Sequence, residues 1–236
     1  MKKAILFDLG NTLAAYYTSA EWPAILERCI GEVQDELHRR GLLRLSPEEV
    51  WAGVRKESRE VTDYRVLPME ERLVRVFRLD VPPSSPLIMA LCRRFIRPIV
   101  STAHLCEDTL PVLRELSARG VRMGVVSNAP WGTPSVLWHE EVARLGLVPY
   151  LDAVVICTDV GWRKPAPQPF AAALAHFGVC QENKRHFPEL RGNELALVLL
   201  VVGPELGFIR RLNLAGHLGV ECHVRDRSRL AAITVQ

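Results

Sequence analysis

Short apolar runs alternate along the chain with stretches of helical spacing, except in one long interval near the start. The runs have the length of buried strands and cover residues 4–8, 121–126, 153–156, 195–202 and 220–224. Helical patterns occupy residues 107–119 and 167–177 and surround Trp138. Strands and helices in alternation, with short connections, predict an α/β fold whose parallel sheet is covered on both faces.

The long exception, residues 16–100, carries only helical patterning. Its first apolar face recurs at three- and four-residue steps through Trp22, Ile25, Leu26, Cys29, Ile30 and Val33. Ser46 followed by Pro47 has the N-cap and first-turn proline of a new helix. Prolines break the pattern within residues 82–86, and residues 87–96 resume it. This interval predicts an all-helical unit inserted after the first strand.

Composition narrows the class of protein without naming a function. The chain of 236 residues is 48% hydrophobic and 24% charged, typical of a globular protein with one core or a core and one insertion. No apolar run approaches the roughly 18 residues of a membrane span, and a net charge of +3 is too small to indicate nucleic-acid binding. Six scattered cysteines without a CxxC pair favour unpaired thiols in a reducing compartment, so we expect a cytoplasmic protein. For the oligomeric state we expect a monomer or a homodimer.

Polar residues that could take part in catalysis or binding follow three of the predicted strands. Asp8 ends the first apolar run, Ser127 and Asn128 end the run at 121–126, and Lys164 follows the run at 153–156. The carboxyl ends of parallel strands meet at one edge of a sheet, where open α/β folds bind their ligands. The sequence therefore predicts one site that combines a carboxylate, a hydroxyl, an amide and an ammonium group.

The order of these groups resembles the haloacid dehalogenase superfamily of hydrolases. Residues 7–13 (FDLGNTL), 125–128 (VVSN) and 163–165 (RKP) carry the resemblance, and similar surroundings extend over residues 127–138 and 159–167. The resemblance implies a doubly wound parallel sheet formed by residues 1–15 and 101–236. It also implies that residues 16–100 are a helical cap domain, which would close over the site and select the substrate.

What the resemblance implies for chemistry is a magnesium-dependent phosphatase acting on a small phosphorylated metabolite. Asp8 would attack phosphorus to form an aspartyl-phosphate, while Lys164 would act in catalysis and in substrate binding. Ser127 and Asn128 would bind the substrate phosphate. Asp8, the backbone carbonyl of Gly10 and Glu205 are the candidate ligands of Mg²⁺.

Two positions depart from the pattern of the superfamily. Its phosphatases usually carry a second aspartate two residues after the nucleophile, as general acid for the leaving alcohol, and Gly10 stands there. After the last core strand the superfamily usually carries acidic metal ligands, whereas Pro204 and then Glu205 follow Gly203. Residues 180–192 are also longer and more polar than a short turn, which fits either a surface insertion or an altered reading frame.

These departures leave two alternative functions open. A 2-haloacid dehalogenase releases a halide that needs neither a proton nor a metal, which suits Gly10 and Pro204, although Asn11 and Thr12 resemble the phosphatase-like members more. The other alternative is a catalytically impaired protein of the same fold that acts by binding. A dinucleotide-binding protein is disfavoured because no G-x-G-x-x-G or Walker sequence follows any predicted strand.

Overall fold

Four parallel strands form the central sheet of the protein. The computed structural model describes residues 2–58, 63–178, 195–201, 220–223 and 232–235. Its sheet contains β1 (Lys2–Phe7), β4 (Arg122–Ser127), β5 (Ala153–Ile156) and β6 (Leu195–Val201) in the spatial order β5-β4-β1-β6. All three pairings are parallel, and β1 lies between β4 and β6. The predicted α/β class and parallel sheet are confirmed.

The sheet is covered on both faces by apolar clusters. Phe7 and Val125 belong to the larger cluster, which includes the side chains of the helical interval, whereas Leu6 and Val126 belong to a smaller one. The smaller cluster is completed by Phe170 and its neighbours on a helix that follows β5. Successive side chains of a strand point to opposite faces, so β1 and β4 supply both clusters in alternation. This is the doubly wound arrangement expected from continuous apolar strands.

The helices that follow the strands agree with the sequence patterns within a few residues. They are α5 (Thr109–Ala118), α6 (Ser135–Arg144), a single turn α7 (Cys157–Val160) and α8 (Pro167–His176). Two 3₁₀ turns, Pro130–Gly132 and Val148–Tyr150, flank α6. The short turn α7 was not anticipated, because four residues are too few to show helical periodicity.

Between β1 and α5 the described residues form four helices: α1 (Trp22–Arg39), α2 (Pro47–Glu57), α3 (Met69–Phe77) and α4 (Pro86–Val100). We call α1–α4 and their connecting loops the helical unit. The predicted start of α2 is confirmed, because the Ser46 side chain accepts from Glu49 N and the Glu49 carboxylate accepts from Ser46 N. The exact split into a core and a cap at residues 15 and 101 stays a prediction.

A two-residue ladder joins the two ends of the helical unit. β2 (Ala14–Ala15) pairs in antiparallel fashion with β3 (His104–Leu105), so the chain leaves and re-enters the α/β part at one place. Thr109 reinforces this junction because its hydroxyl donates to Leu13 O at 2.7 Å. Runs this short leave no periodic signal in a sequence, and the pairing was not predicted.

The predicted place of residues 220–224 in the parallel sheet was wrong. Residues 220–224 were predicted to continue the strand–helix alternation of the parallel sheet. Instead β7 (Val220–His223) pairs with β8 (Ala232–Val235) in a separate antiparallel pair. A period-two pattern predicts a strand but carries no information on its partner or direction. The polar residues 180–192 lie outside the described ranges.

Two compositional predictions can be compared with the described residues. Cys29, Cys92 and Cys157 are buried and unpaired, and Cys106 is half-buried and unpaired, as scattered thiols predicted. Within the described ranges, each helix is either too short or too polar to cross a membrane.

Candidate active site

The side chains predicted from the strand ends meet at the carboxyl edge of the sheet. Asp8 directly follows β1, Ser127 is the last residue of β4, and Lys164 follows β5 and the turn α7. Since β1, β4 and β5 are neighbours in the sheet, their carboxyl ends bring the three residues together. The turn after Asp8 is fixed by Asn11, whose side chain donates to Tyr17 O and accepts from Tyr16 N.

Three donors converge on one oxygen of the Asp8 carboxylate. Lys164 Nζ lies 2.8 Å from Asp8 Oδ1, Ser127 Oγ donates to the same oxygen at 3.2 Å, and Leu9 N donates at 2.8 Å. The Asp8 side chain keeps 17% of its surface exposed, whereas that of Lys164 keeps 3%. The ion pair and the hydrogen bonds therefore hold the carboxylate in one orientation, and part of its surface remains accessible to solvent.

Hydrogen bonds hold both the side chain and the backbone of Lys164. Its ammonium also donates to Val126 O at 2.9 Å, which anchors the side chain against β4. Its backbone N–H donates to Asn128 Oδ1 at 2.8 Å, and Asn128 Nδ2 donates back to Lys164 O at 3.4 Å. Asn128, which the sequence predicts as a substrate ligand, thus places its carboxamide on the backbone of the lysine. The two residues lie 36 positions apart, and no local pattern could have indicated this pairing.

A cavity of about 590 Å³ opens between the helical unit and the edge of the sheet, with Asp8, Ser127, Asn128 and Lys164 in its wall. Two cationic side chains line it besides the lysine, Arg72 from α3 and Arg163 from the loop before Lys164. Aromatic rings form much of the rest, namely Tyr16, Tyr17, Trp22, Tyr64, Trp131 and Trp138.

Burial, and then the charge of Glu141, raises the pKa of Tyr16 well above its usual range, so its phenol stays neutral.

The loop after Ser127 is held by contacts on both sides. Ala129 N donates to Cys157 Sγ at 3.1 Å, and burial raises the pKa of that thiol. Trp131 has a left-handed backbone (φ 54°), and its indole donates to Ser58 Oγ at 3.3 Å and stacks on Phe95. Trp131 therefore lines the cavity in a fixed orientation.

Trp162, on the loop before Lys164, is not among the residues that line the cavity. Its ring lies under the Arg65 guanidinium, 4.6 Å from ring centroid to Cζ. The loop that carries it pairs with the helical unit, since Val66 N donates to Gly161 O at 3.0 Å and Arg163 N to Tyr64 O at 2.8 Å. Trp162 thus packs at this seam.

Gly10 lines the cavity two residues after Asp8. A Cβ built on it would meet nothing closer than Tyr16 Cδ2 at 4.0 Å, and its φ lies outside the left-handed region. A Cβ at this position would therefore fit among the described residues, and glycine places no side chain there.

The structure describes two of the three predicted metal ligands. Asp8 and Gly10 both line the cavity and offer hard oxygen donors of the kind that Mg²⁺ prefers. Glu205, with Gly203 and Pro204, lies outside the described residues. Among the residues that the structure describes, no group of three His, Cys, Asp or Glu side chains is arranged to hold a metal.

Comparison with known proteins finds phosphatases of similar sequence. The chain is 28% identical over 180 residues to a ribulose-1,5-bisphosphate 5-phosphatase from Halopiger xanaduensis, covering 74% of this chain and 71% of that protein. It is 27% identical to a glyceraldehyde 3-phosphate phosphatase from Methanopyrus kandleri, covering 77% and 73%.

The fold also matches a crystal structure of a 2-haloacid dehalogenase from Pseudomonas syringae, with a TM-score of 0.52, 24% identity and coverage of 76% and 74%. That likeness concerns the fold alone. The profile of the haloacid dehalogenase-like hydrolases matches residues 2–185, most of the chain. The chain belongs to the haloacid dehalogenase-like hydrolases.

Proposed function

We propose that this hydrolase is a phosphatase that cleaves a small phosphomonoester through an aspartyl-phosphate on Asp8. The observation that carries the proposal is the convergence of Lys164 and Ser127 on the Asp8 carboxylate at the floor of a cavity. An ammonium and a hydroxyl beside a carboxylate suit a nucleophile that must approach a phosphate dianion.

In the first step an Asp8 oxygen forms a bond to phosphorus while the bond from phosphorus to the ester oxygen breaks. The leaving alkoxide takes up a proton from solvent water, and the phosphoryl group remains on Asp8. In the second step water attacks phosphorus, inorganic phosphate leaves, and the carboxylate is regenerated. Lys164 offsets the negative charge of the phosphoryl group and the Asp8 carboxylate in both steps. Ser127 donates a hydrogen bond from its hydroxyl to a phosphoryl oxygen.

Magnesium fits the donor chemistry of this site. The Asp8 carboxylate and the Gly10 carbonyl would hold the ion, and Glu205 stays a candidate third ligand. A bound Mg²⁺ would neutralise part of the charge that accumulates between carboxylate and phosphate. The named activities of the relatives, two phosphatases of small phosphorylated molecules, support the same reaction class.

The helical unit is proposed to act as a cap. Its α3 and the loop before it supply Arg72, Tyr64 and Leu67 to the cavity wall opposite the catalytic edge. A substrate bound at Asp8 would therefore be enclosed by residues of both parts, which gives the helical unit control over the shape of accepted substrates.

The test is phosphate release from p-nitrophenyl phosphate by the native chain and by Asp8→Asn. The variant replaces the nucleophilic oxygen with an amide of the same size, so release should fall at least about 10³-fold. Asp108→Asn is the matched control, since Asp108 precedes α5 and makes no side-chain cap hydrogen bond. Asp108→Asn should keep full activity, and retained activity in Asp8→Asn would exclude the proposed mechanism.

A 2-haloacid dehalogenase remains the second candidate, on one specific observation. Gly10 provides no side-chain acid two residues after Asp8, and a departing halide needs no proton. Chloride release from 2-chloropropionate by the native chain, lost in Asp8→Asn, would favour this reaction over phosphate transfer.

A further inference from the structure

Tyr64 places an aromatic ring in the wall of the catalytic cavity at a conformational cost. It lies in the loop between α2 and α3 of the helical unit, and it lines the same cavity as Asp8 and Lys164. Its backbone has φ 63°, in the left-handed region that bulky side chains rarely adopt. Backbone strain of this kind persists only where the surrounding structure imposes it.

A hydrogen bond and a β-bridge hold the backbone around Tyr64. Its carbonyl accepts from Arg163 N at 2.8 Å. The next residue, Arg65, forms an antiparallel bridge with Trp162 and lays its guanidinium over that indole, 4.6 Å from the centroid. Both contacts are made to the chain segment that leads directly into Lys164. The strained position of Tyr64 is therefore fixed relative to the residues that contact Asp8.

Tyr64 differs from the other five aromatic residues that line the cavity. Each of those five rings contacts a second ring, in the pairs Tyr16–Trp138, Tyr17–Trp22 and Trp131–Phe95. Within the described ranges, the Tyr64 ring makes no ring contact and its hydroxyl makes no hydrogen bond. The residue keeps 45% of its surface exposed. Its ring is thus an aromatic surface of the cavity that a ligand can cover.

We propose that Tyr64 is a specificity-determining residue whose ring packs against the organic part of the substrate. The favoured substrate is a phosphomonoester whose alcohol carries a planar, unsaturated ring, with its phosphate at Asp8 and its ring against Tyr64. A saturated group gains only contact area there, whereas a planar ring also gains the electrostatic match between ring faces and ring edges. This inference rests on the proposed phosphatase function and names the substrate class of that site.

The test compares two ligands that differ in the planarity of a six-carbon ring. Phenyl phosphate carries a flat ring and cyclohexyl phosphate a puckered one, and both carry the same phosphate group. Calorimetry with Asp8→Asn protein, in buffer containing magnesium, measures both affinities without turnover. An aromatic pair typically tightens binding by roughly 2- to 10-fold beyond its contact area. We expect phenyl phosphate to bind more tightly by about that factor, although the cyclohexyl group is the more hydrophobic.

Substitutions in the same Asp8→Asn background assign the preference to a residue. Tyr64→Leu and Tyr64→Asn both remove the ring, and asparagine tolerates a left-handed backbone better than leucine does. Both should abolish the preference for phenyl phosphate while leaving the affinity for inorganic phosphate, which has no organic part, unchanged. Tyr64→Phe keeps the ring and should keep the preference.

Tyr150→Leu is the matched control for the loss of a tyrosine ring. Tyr150 belongs to the 3₁₀ turn before β5, accepts from Arg114 Nε through its hydroxyl, and is not among the residues that line the cavity. This variant should retain the full preference for phenyl phosphate. A loss as large as that in Tyr64→Leu would contradict the assignment to Tyr64.

Equal affinity for the two ring esters, or binding of neither, would overturn the inference, as would a preference that survives in both ringless variants. If Tyr64→Leu does not fold, Tyr64→Asn decides in its place. The underlying function fails separately: a native chain that releases no phosphate from p-nitrophenyl phosphate refutes the phosphatase. The preference between the two ring esters is measured without turnover and answers independently.

Discussion

Asn128 and Lys164 hold each other's loops through a reciprocal pair of hydrogen bonds. The Lys164 backbone N–H donates to Asn128 Oδ1 at 2.8 Å, and Asn128 Nδ2 donates to Lys164 O at 3.4 Å. The loop after β4 and the loop that carries the lysine are thereby tied together beside Asp8. The geometry gives Asn128 a positioning role toward the ammonium that contacts the nucleophile.

Asn128→Ala should therefore lower kcat more than it raises KM. Losing the two hydrogen bonds frees the Lys164 backbone, and we expect kcat for p-nitrophenyl phosphate to fall about 10- to 100-fold. Asn128→Asp keeps an acceptor for the Lys164 amide and should recover part of that loss. A rise in KM with unchanged kcat would instead mean that the carboxamide binds the substrate directly, the role first predicted for it.

Gly10→Asp should change which leaving groups the enzyme accepts. The position has room for a side chain, with Tyr16 Cδ2 at 4.0 Å from the added Cβ. A carboxylic acid there would protonate a poor leaving group, a contribution of about 10²-fold or more for general acids. We expect kcat/KM to rise for ethyl phosphate relative to p-nitrophenyl phosphate, whose phenolate needs no acid.

Gly10→Asn is the control for that change, because it has the same size but no proton to donate. It should leave the ratio of the two substrates as in the native chain. An equal rise in both variants would attribute the effect to packing against Tyr16, and an unchanged ratio in Gly10→Asp would exclude an acid role at this position.

Gly132→Ala should destabilise the protein because of a specific contact between the helical unit and the loop after β4. Gly132 has φ +69°, and an added Cβ would lie 2.0 Å from Leu67 O. Gly146 has a similar φ of +72° with no atom within 4 Å of its added Cβ, so Gly146→Ala isolates the backbone strain.

We expect Gly146→Ala to cost roughly 1–2 kcal/mol, the strain of a left-handed residue with a side chain. The clash at Gly132 should add about 1–3 kcal/mol to that, as overpacking does. Urea unfolding monitored by tryptophan fluorescence gives both free energies. Equal losses in the two variants would mean that the approach of Gly132 to Leu67 is not tight in solution.

Removing divalent metal should stop phosphate release. Without a metal ion, the Asp8 carboxylate and a phosphate dianion repel each other, and Lys164 offsets only part of that repulsion. Treatment with EDTA should abolish hydrolysis of p-nitrophenyl phosphate, and added Mg²⁺ should restore it. Persistent activity after chelation would contradict a magnesium mechanism.

A thermal-shift measurement separates an active enzyme from a binding protein of the same fold. Magnesium with fluoroberyllate, a phosphoryl mimic, should raise the Tm of the native chain and not that of Asp8→Asn. A Tm increase without any turnover of phosphate esters would support the binding function. No Tm change in either chain would argue against a metal–phosphoryl site at Asp8.

Much of the site was predictable because strands end where their apolar runs end. Asp8, Ser127 and Lys164 each follow such a run, and parallel pairing brings those ends together. What the sequence missed depends on pairs of distant residues. The bonds of Asn128 to Lys164 and the placement of Arg72 over Trp131 join segments dozens of residues apart. A helical pattern assigned Arg72 to a helix-rich interval without indicating that it faces the cavity.

The helical unit and the catalytic edge meet at the seam where Val66 N donates to Gly161 O and Arg163 N to Tyr64 O. One of these bonds is made by the residue that immediately precedes Lys164. Any swing of the helical unit that breaks this seam therefore pulls on the chain next to the ammonium beside Asp8. If the helical unit acts as the proposed cap and opens to admit a ligand, loss of these hydrogen bonds would also disturb the placement of Lys164 beside Asp8.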